Sequence, residues 1–204
     1  MFYKKNTPGG ADNLTQGGKI PYCNLSTVRQ GDKLYAKNVK NYVALDIETT
    51  GLSAQDNEII NIGAIRYRND KPVEELNIFV KPKERIPSFI TNITGISNEM
   101  VANAPDIDEV LPALLDFVGD DTLLGHNIRF DLGFLNYALA NHGYKENLTT
   151  YIDTMMMARS FRKNNKLEQL VRDYVNPNYE EAHQGLDDAR NTALVFQKFK
   201  KMMK

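Results

Sequence analysis

From Tyr42 onward the chain switches between apolar runs of strand length and apolar residues at helical spacing. Tyr42–Ile47 is apolar and short. Ile59–Tyr67 is Ile-rich and bounded by polar residues. Val73–Val80 alternates loosely behind Lys71-Pro72, which reads as the preceding turn. Three such runs with short turns predict an antiparallel meander. The period then changes. Val110, Leu111, Leu114, Leu115 and Phe117 mark a helix over Asp108–Val118, and Leu132, Phe134, Leu135, Ala138 and Leu139 give a second helix its apolar face. Thr122–Leu124 and Tyr151-Ile152 read as short strands, the latter leading into a Met-rich helix. Leu167–Tyr174 and Leu186–Met202 read as further helices. This order predicts an α/β fold with a mixed five-stranded sheet flanked by helices. Sites in such sheets form at the carboxyl ends of strands and the amino ends of helices.

The 204 residues suffice for one sizeable α/β domain plus an appendage, and 42% hydrophobic content supports a packed core. There is no apolar run of ~18 residues, so no membrane span is expected. The opening residues, Met1 to Pro8, lack the apolar stretch of a signal peptide. The single cysteine, Cys23, excludes an intramolecular disulfide and a Cys-based zinc site. A cytoplasmic protein is expected. Net charge is −1, but residues 1–41 carry seven basic and two acidic side chains, or +5, leaving −6 for the rest. With Gly9-Gly10, Gly17-Gly18 and little periodicity, residues 1–41 read as a flexible basic arm and 42–204 as the folded domain. The arm suits a solvated tail or docking segment, or a nucleic-acid contact.

Acidic residues recur where the predicted fold forms its sites. Asp46 and Glu48 sit two apart at the end of the first strand, so period 2 points both carboxylates to one face. Gly51 follows and allows a close turn. Asp131 closes Gly125-His126-Asn127-Ile128-Arg129-Phe130-Asp131 near a helix start. Asp188 falls in the first turn of the last helix, five residues after His183. Each alone is an ordinary surface or helix-start residue; the conjunction is what points to chemistry. Clustered, the four carboxylates repel one another unless divalent cations neutralise them. Two cations ~3.5–4 Å apart suit in-line displacement at phosphorus, with His183 as proton acceptor.

These motifs resemble the DnaQ-like 3′–5′ exonucleases of the DEDDh type, which include the polymerase III epsilon subunit and the PolC exonuclease domain. The resemblance runs from about Asn41 to Lys201. It rests on Asp46-Ile47-Glu48-Thr49-Thr50-Gly51-Leu52, Glu58-Ile59-Ile60-Asn61-Ile62-Gly63-Ala64, Ile93-Thr94-Gly95-Ile96, His126 to Asp131, Tyr151-Ile152-Asp153-Thr154 and His183 to Ala189. It implies an RNase H-like fold and release of nucleoside 5′-monophosphates from a 3′ end, using two Mg²⁺ or Mn²⁺ ions. By motif match, Asp46, Glu48 and Asp188 hold the tighter metal, Asp46 bridges to the second, Asp131 completes the cluster, and His183 deprotonates the attacking water. The same match implies that Thr49, Gly51, Leu52, Thr94 and Ile96 line the terminal-nucleotide pocket and that Asn127 and Phe130 touch the strand. Asp153 is expected to be a hydrogen-bonding residue rather than a ligand.

Two positions depart from the family pattern. Asn61 stands where relatives often carry Glu, and Gly185 where Ala is usual. Neither removes a ligand or the base. The resulting expectation is a DNA exonuclease on single-stranded or frayed 3′ ends, in replication proofreading or repair, with a DNA polymerase as a candidate partner. The alternatives are an RNA-trimming enzyme of the same fold and a catalytically silent nucleic-acid-binding or polymerase-docking module.

Overall fold

The computed structural model describes residues 36–145, 147–180 and 184–203. Most of the basic arm, and His183, lie outside these residues. Five strands form one sheet in the order β3-β2-β1-β4-β5. The first three, β1 (Tyr42–Thr49), β2 (Ile59–Arg68) and β3 (Lys71–Phe79), form the antiparallel meander. β4 (Thr122–Gly125) and β5 (Tyr151–Asp153) add in parallel on the other side of β1. The mixed five-stranded sheet expected from the sequence is the one observed.

Alternation along β1 assigns each residue to a layer. Val43, Leu45 and Ile47 pack with Val110, Leu114 and Phe117 of α3 (Ile107–Val118) and Leu132 and Leu135 of α4 (Arg129–Asn141). Tyr42 and Ala44 face the other way. They pack with Ala189, Ala193 and Phe196 of α7 (Gly185–Met202), alongside Met157 of α5 (Thr154–Arg159) and Leu170 of α6 (Leu167–Tyr174). The same period carries Asp46 and Glu48 onto the α7 side.

Two local readings change. The sequence pattern made Lys71-Pro72 a turn, but both lie in β3. The turn is Asn69-Asp70, with φ of 52° and 62°. Two left-handed residues in a two-residue connection match the strand twist, and Asn and Asp tolerate that conformation better than most. Pro72 is accommodated because β3 is an edge strand. The second change is two short helices before α3: α1 (Ser88–Thr94) and α2 (Asn98–Val101). α1 leaves Phe89 and Ile93 exposed, which hid its helical pattern. It ends at Gly95 with φ of 72°, a left-handed cap that strains any side chain.

One close approach sets the position of α7. A Cβ on Gly63 of β2 would lie 2.2 Å from the Leu186 nitrogen and 2.3 Å from the Gly185 carbonyl carbon. The start of α7 therefore rests directly on the strand backbone.

The core extends back beyond β1. Ala36 and Val39 are buried with the α7-side residues. Lys200 Nζ donates to the Val39 carbonyl at 2.7 Å and pairs with Asp70. The ammonium also lies over the Phe196 ring, 4.6 Å from its centroid. Truncations should separate these contacts. Removing residues 1–40 should cost about 2–3 kcal/mol more than removing 1–35, because only the longer cut strips two buried apolar groups and an ammonium's acceptor. Urea unfolding of both truncations checks this, and equal midpoints would contradict it.

Candidate active site

The site forms where β1 outruns β4. β4 pairs with only Tyr42 to Ala44 of β1, and the chain then turns into α4. The backbone of β1 beyond that point would lose its partner on this side. Asp131, in the first turn of α4, supplies one: Ile47 N–H donates to its Oδ1 at 3.0 Å. The Asp131 side chain thus takes the place of a sheet neighbour while sitting beside the strand end that carries Asp46 and Glu48.

Asp188 arrives from the opposite layer, in the first turn of α7, where its N–H bonds the Gln184 carbonyl at 2.9 Å. One carboxylate oxygen each from Asp46, Glu48 and Asp188 lies within 4.8 Å of the others. Asp131 is not in that triplet among the described residues, yet its charge acts on Asp46. A bulge between Glu48 and Thr49 breaks the β1–β2 register just past the cluster and re-aims the strand end.

The electrostatics follow from this crowding. Burial is the main cause that raises the Asp46 carboxyl well above the usual carboxylate range, followed by Asp131, Asp188 and Glu48. Burial likewise pushes Asp131 up to about 8, against the pull of the backbone N–H groups it accepts from. These are hard oxygen donors holding more negative charge than the cleft tolerates by itself. The donor set fits Mg²⁺ or Mn²⁺, which bind through carboxylate oxygen.

Asp153 fixes the turn ahead of α4. Its Oδ1 accepts from Asn127 N–H at 3.0 Å and from Met155 N–H at 2.9 Å, capping α5. Asn127 adopts a left-handed φ of 61°, and that bond holds it there. Beside it, His126 Nδ1 lies 2.9 Å from the Thr154 hydroxyl. Burial lowers the His126 pKa to about 4, so the ring is neutral near pH 7. His126 is a structural tie between β4 and α5.

The residues assigned to substrate binding divide into two groups. Thr94 and Ile96 line a cavity of about 230 Å³ together with Asn61, Asn77, Phe79, Gln184 and Asp187. Thr49, Gly51, Leu52, Asn127 and Phe130 are not among its lining residues. Thr49 and Gly51 build the loop after β1, where Thr49 Oγ1 donates to the Gly51 carbonyl at 2.6 Å. Leu52 projects from that loop, 88% exposed. Phe130 stands half-buried against Phe134. Arg162 is committed internally: it pairs with Asp173 at 2.6 Å and lies over Tyr174.

Sequence reasoning passed over Tyr179, a neighbour of the cluster, and Asn77, which lines the cavity. Tyr179 Oη approaches Asp188 Oδ1 at 3.4 Å, and nothing in its local pattern marks it. Asn77 meets Asn61 across β2 and β3, with Asn61 Nδ2 donating to Asn77 Oδ1 at 2.9 Å. The two departures from the family pattern prove to be in contact. A Cβ at Gly185 would fall 2.7 Å from Asn61 Oδ1.

A family model described as exonuclease matches residues 43–196. The chain is 40% identical over 164 residues to a PolC-type DNA polymerase III of Clostridium perfringens, covering 79% of this chain and 11% of that protein. It is 39% identical over 165 residues to the PolC-type enzyme of Thermotoga maritima, covering 80% and 12%. It therefore spans about a tenth of the length of these relatives. Among solved structures it resembles E. coli exonuclease I in complex with a dA16 oligonucleotide, with a TM-score of 0.69 at 18% identity over 81% of this chain and 42% of that one. It also resembles exonuclease X in complex with 5′-overhanging duplex DNA, with a TM-score of 0.62 at 23% identity over 79% and 92%. Sheet order, carboxylate cluster and family match agree: the chain belongs to the exonuclease family of DnaQ-like, RNase H-like proteins.

Proposed function

We propose that this protein is a 3′–5′ exonuclease that hydrolyses single-stranded or frayed DNA ends by a two-metal mechanism, releasing nucleoside 5′-monophosphates. The observation that carries this reading is the triplet Asp46, Glu48 and Asp188, drawn from a strand end and a helix start to within 4.8 Å. The PolC-type relatives and the DNA complexes among the structural neighbours favour DNA as substrate and replication or repair as setting, in the cytoplasm. A polymerase is the natural partner on the same ground. No helix among the described residues is long and apolar enough to cross a membrane.

Asp46, Glu48 and Asp188 would hold one divalent cation and Asp46 would also serve a second, and both would be Mg²⁺ or Mn²⁺. Such cations, when bound, supply Lewis-acid activation and neutralise charge developing at phosphorus. Asp131 adds negative charge from the α4 side while bracing β1 through Ile47. Thr94 and Ile96, with Thr49, Gly51 and Leu52 across the strand end, would seat the terminal nucleotide. Asn127 and Phe130 would contact the strand behind it. His183 would take the proton from the attacking water. It immediately precedes Gln184, which lines the cavity. An imidazole suits that role, its unperturbed pKa being ~6.5, whereas burial makes His126 a weak proton acceptor.

The test uses matched 5′-labelled DNA and RNA oligonucleotides with Mg²⁺ or Mn²⁺. DNA should yield a ladder of 3′-shortened products, and a 3′-phosphate should block it. Preferential RNA trimming would replace DNA as substrate, and cutting of circular single-stranded DNA would overturn the exonuclease reading. Asp46→Ala should abolish turnover. In EDTA it should melt no lower than the wild type, because it removes a buried repulsive charge. Normal turnover by Asp46→Ala would refute the metal assignment. His183→Ala should keep metal binding and lose ~10²–10⁴-fold in rate. Near-normal turnover there would remove His183 as base.

A second test concerns pH. Asp131 titrates near 8 in the metal-free fold and near ~3.9 when unfolded. Between those values the folded state binds more protons than the unfolded state, so metal-free stability falls as pH rises. The melting temperature in EDTA should therefore drop by roughly 4 °C or more from pH 5 to pH 8, at about 2–4 °C per kcal/mol for a chain this size. Saturating Mn²⁺ should flatten the slope. A melting temperature that rises with pH in EDTA would contradict the crowded-carboxylate picture.

A further inference from the structure

Asn61 is a polar side chain with 4% exposure, on β2, directly opposite Glu48 in the sheet register. Its carboxamide is not free to rotate. Nδ2 donates to Asn77 Oδ1 at 2.9 Å and to the Ile78 carbonyl at 3.2 Å, both on β3. This fixes the direction of Oδ1, which meets the first residue of α7: a Cβ on Gly185 would lie 2.7 Å from it. The same Cβ would lie 3.3 Å from the Asp46 carbonyl and 3.4 Å from the Gly63 nitrogen. Gly185 is thus enclosed by the sheet on three sides, and one of those walls is a side chain anchored to the neighbouring strand.

The consequence reaches the cluster within one turn of helix. Asp188 N–H bonds the carbonyl of Gln184, the residue before Gly185, so the seating of Gly185 sets the distance from Asp188 to Asp46 and Glu48. We propose that Asn61 is a positioning residue for the metal cluster: its anchored carboxamide fixes the height of α7 above the sheet through Gly185, and thereby the reach of Asp188. The proposal rests on the assignment of Asp46, Glu48 and Asp188 as metal ligands.

A coupled pair of substitutions tests it. Gly185→Ala adds a methyl that the anchored carboxamide cannot accommodate, so α7 lifts. Mn²⁺ binding to the whole chain, followed by electron paramagnetic resonance, should weaken about 10–100-fold, the usual effect of disturbing the supports of a metal ligand. Asn61→Ala alone should weaken it less, because the helix loses its stop without being pushed. Asn61→Ala with Gly185→Ala should bind as well as Asn61→Ala alone, the methyl now occupying the vacated space. That rescue is a sign no general loss of packing produces. Mn²⁺ binding is read with no oligonucleotide present, which separates the effect from any change in the nucleotide pocket that Asn61 also lines. If the two losses simply add, or if Gly185→Ala binds Mn²⁺ like the wild type, the positioning role is refuted. If wild-type binding does not depend on Asp46, the metal assignment falls as well, and the two failures are thereby told apart.

Discussion

At Gly63 the sheet backbone and the first turn of α7 lie so close that one added methyl would fall 2.2 Å from the Leu186 nitrogen. A helix packed on a sheet through ordinary side chains stands about 10 Å off it, too far for a short Asp to reach a strand carboxylate. Here the helix end is drawn down onto the strand by two glycines, Gly63 and Gly185. Asp188, one turn along, then comes within 4.8 Å of Asp46 and Glu48. The side-chain layer resumes farther along α7, where Ala193, Phe196 and Phe199 pack on the sheet. The helix therefore approaches the sheet most closely at the site.

That arrangement sets packing against electrostatics. The apolar layers on both faces of β1 hold the strand end in place, and the same burial raises Asp46 and Asp131 out of the usual carboxylate range. Ionising these carboxyls costs the metal-free fold stability as pH rises. A bound divalent cation would relieve that cost, which would link metal binding to stability. Asp131 shows how the cost is contained. Its carboxylate also satisfies a strand N–H that β4 leaves without a sheet partner. A carboxylate beside the charge cluster is in this way part of the sheet's hydrogen bonding.

The sequence by itself determined most of the elements and where the carboxylates stand in them. Period 2 across Val43 to Glu48 assigned both carboxylates to one face, and helical spacing across Leu186–Met202 put Asp188 in a first turn. Both follow from local geometry, which needs no knowledge of distant contacts. Where local signals were weak, the tertiary structure decided. The hairpin turn went to Asn69-Asp70, because strand twist selects left-handed residues there. α1 formed although Phe89 and Ile93 remain exposed, because Ile90 packs against Ile60 and Ile96. Which carboxylates share a metal-sized space, that Asn61 and Gly185 touch, and that Tyr179 approaches Asp188 are all matters of distance between segments far apart in the chain. Linear spacing carries no information on such distances, since they are set by how closely two backbones approach. That approach depends on a missing Cβ whose effect appears only once the partner strand is in place.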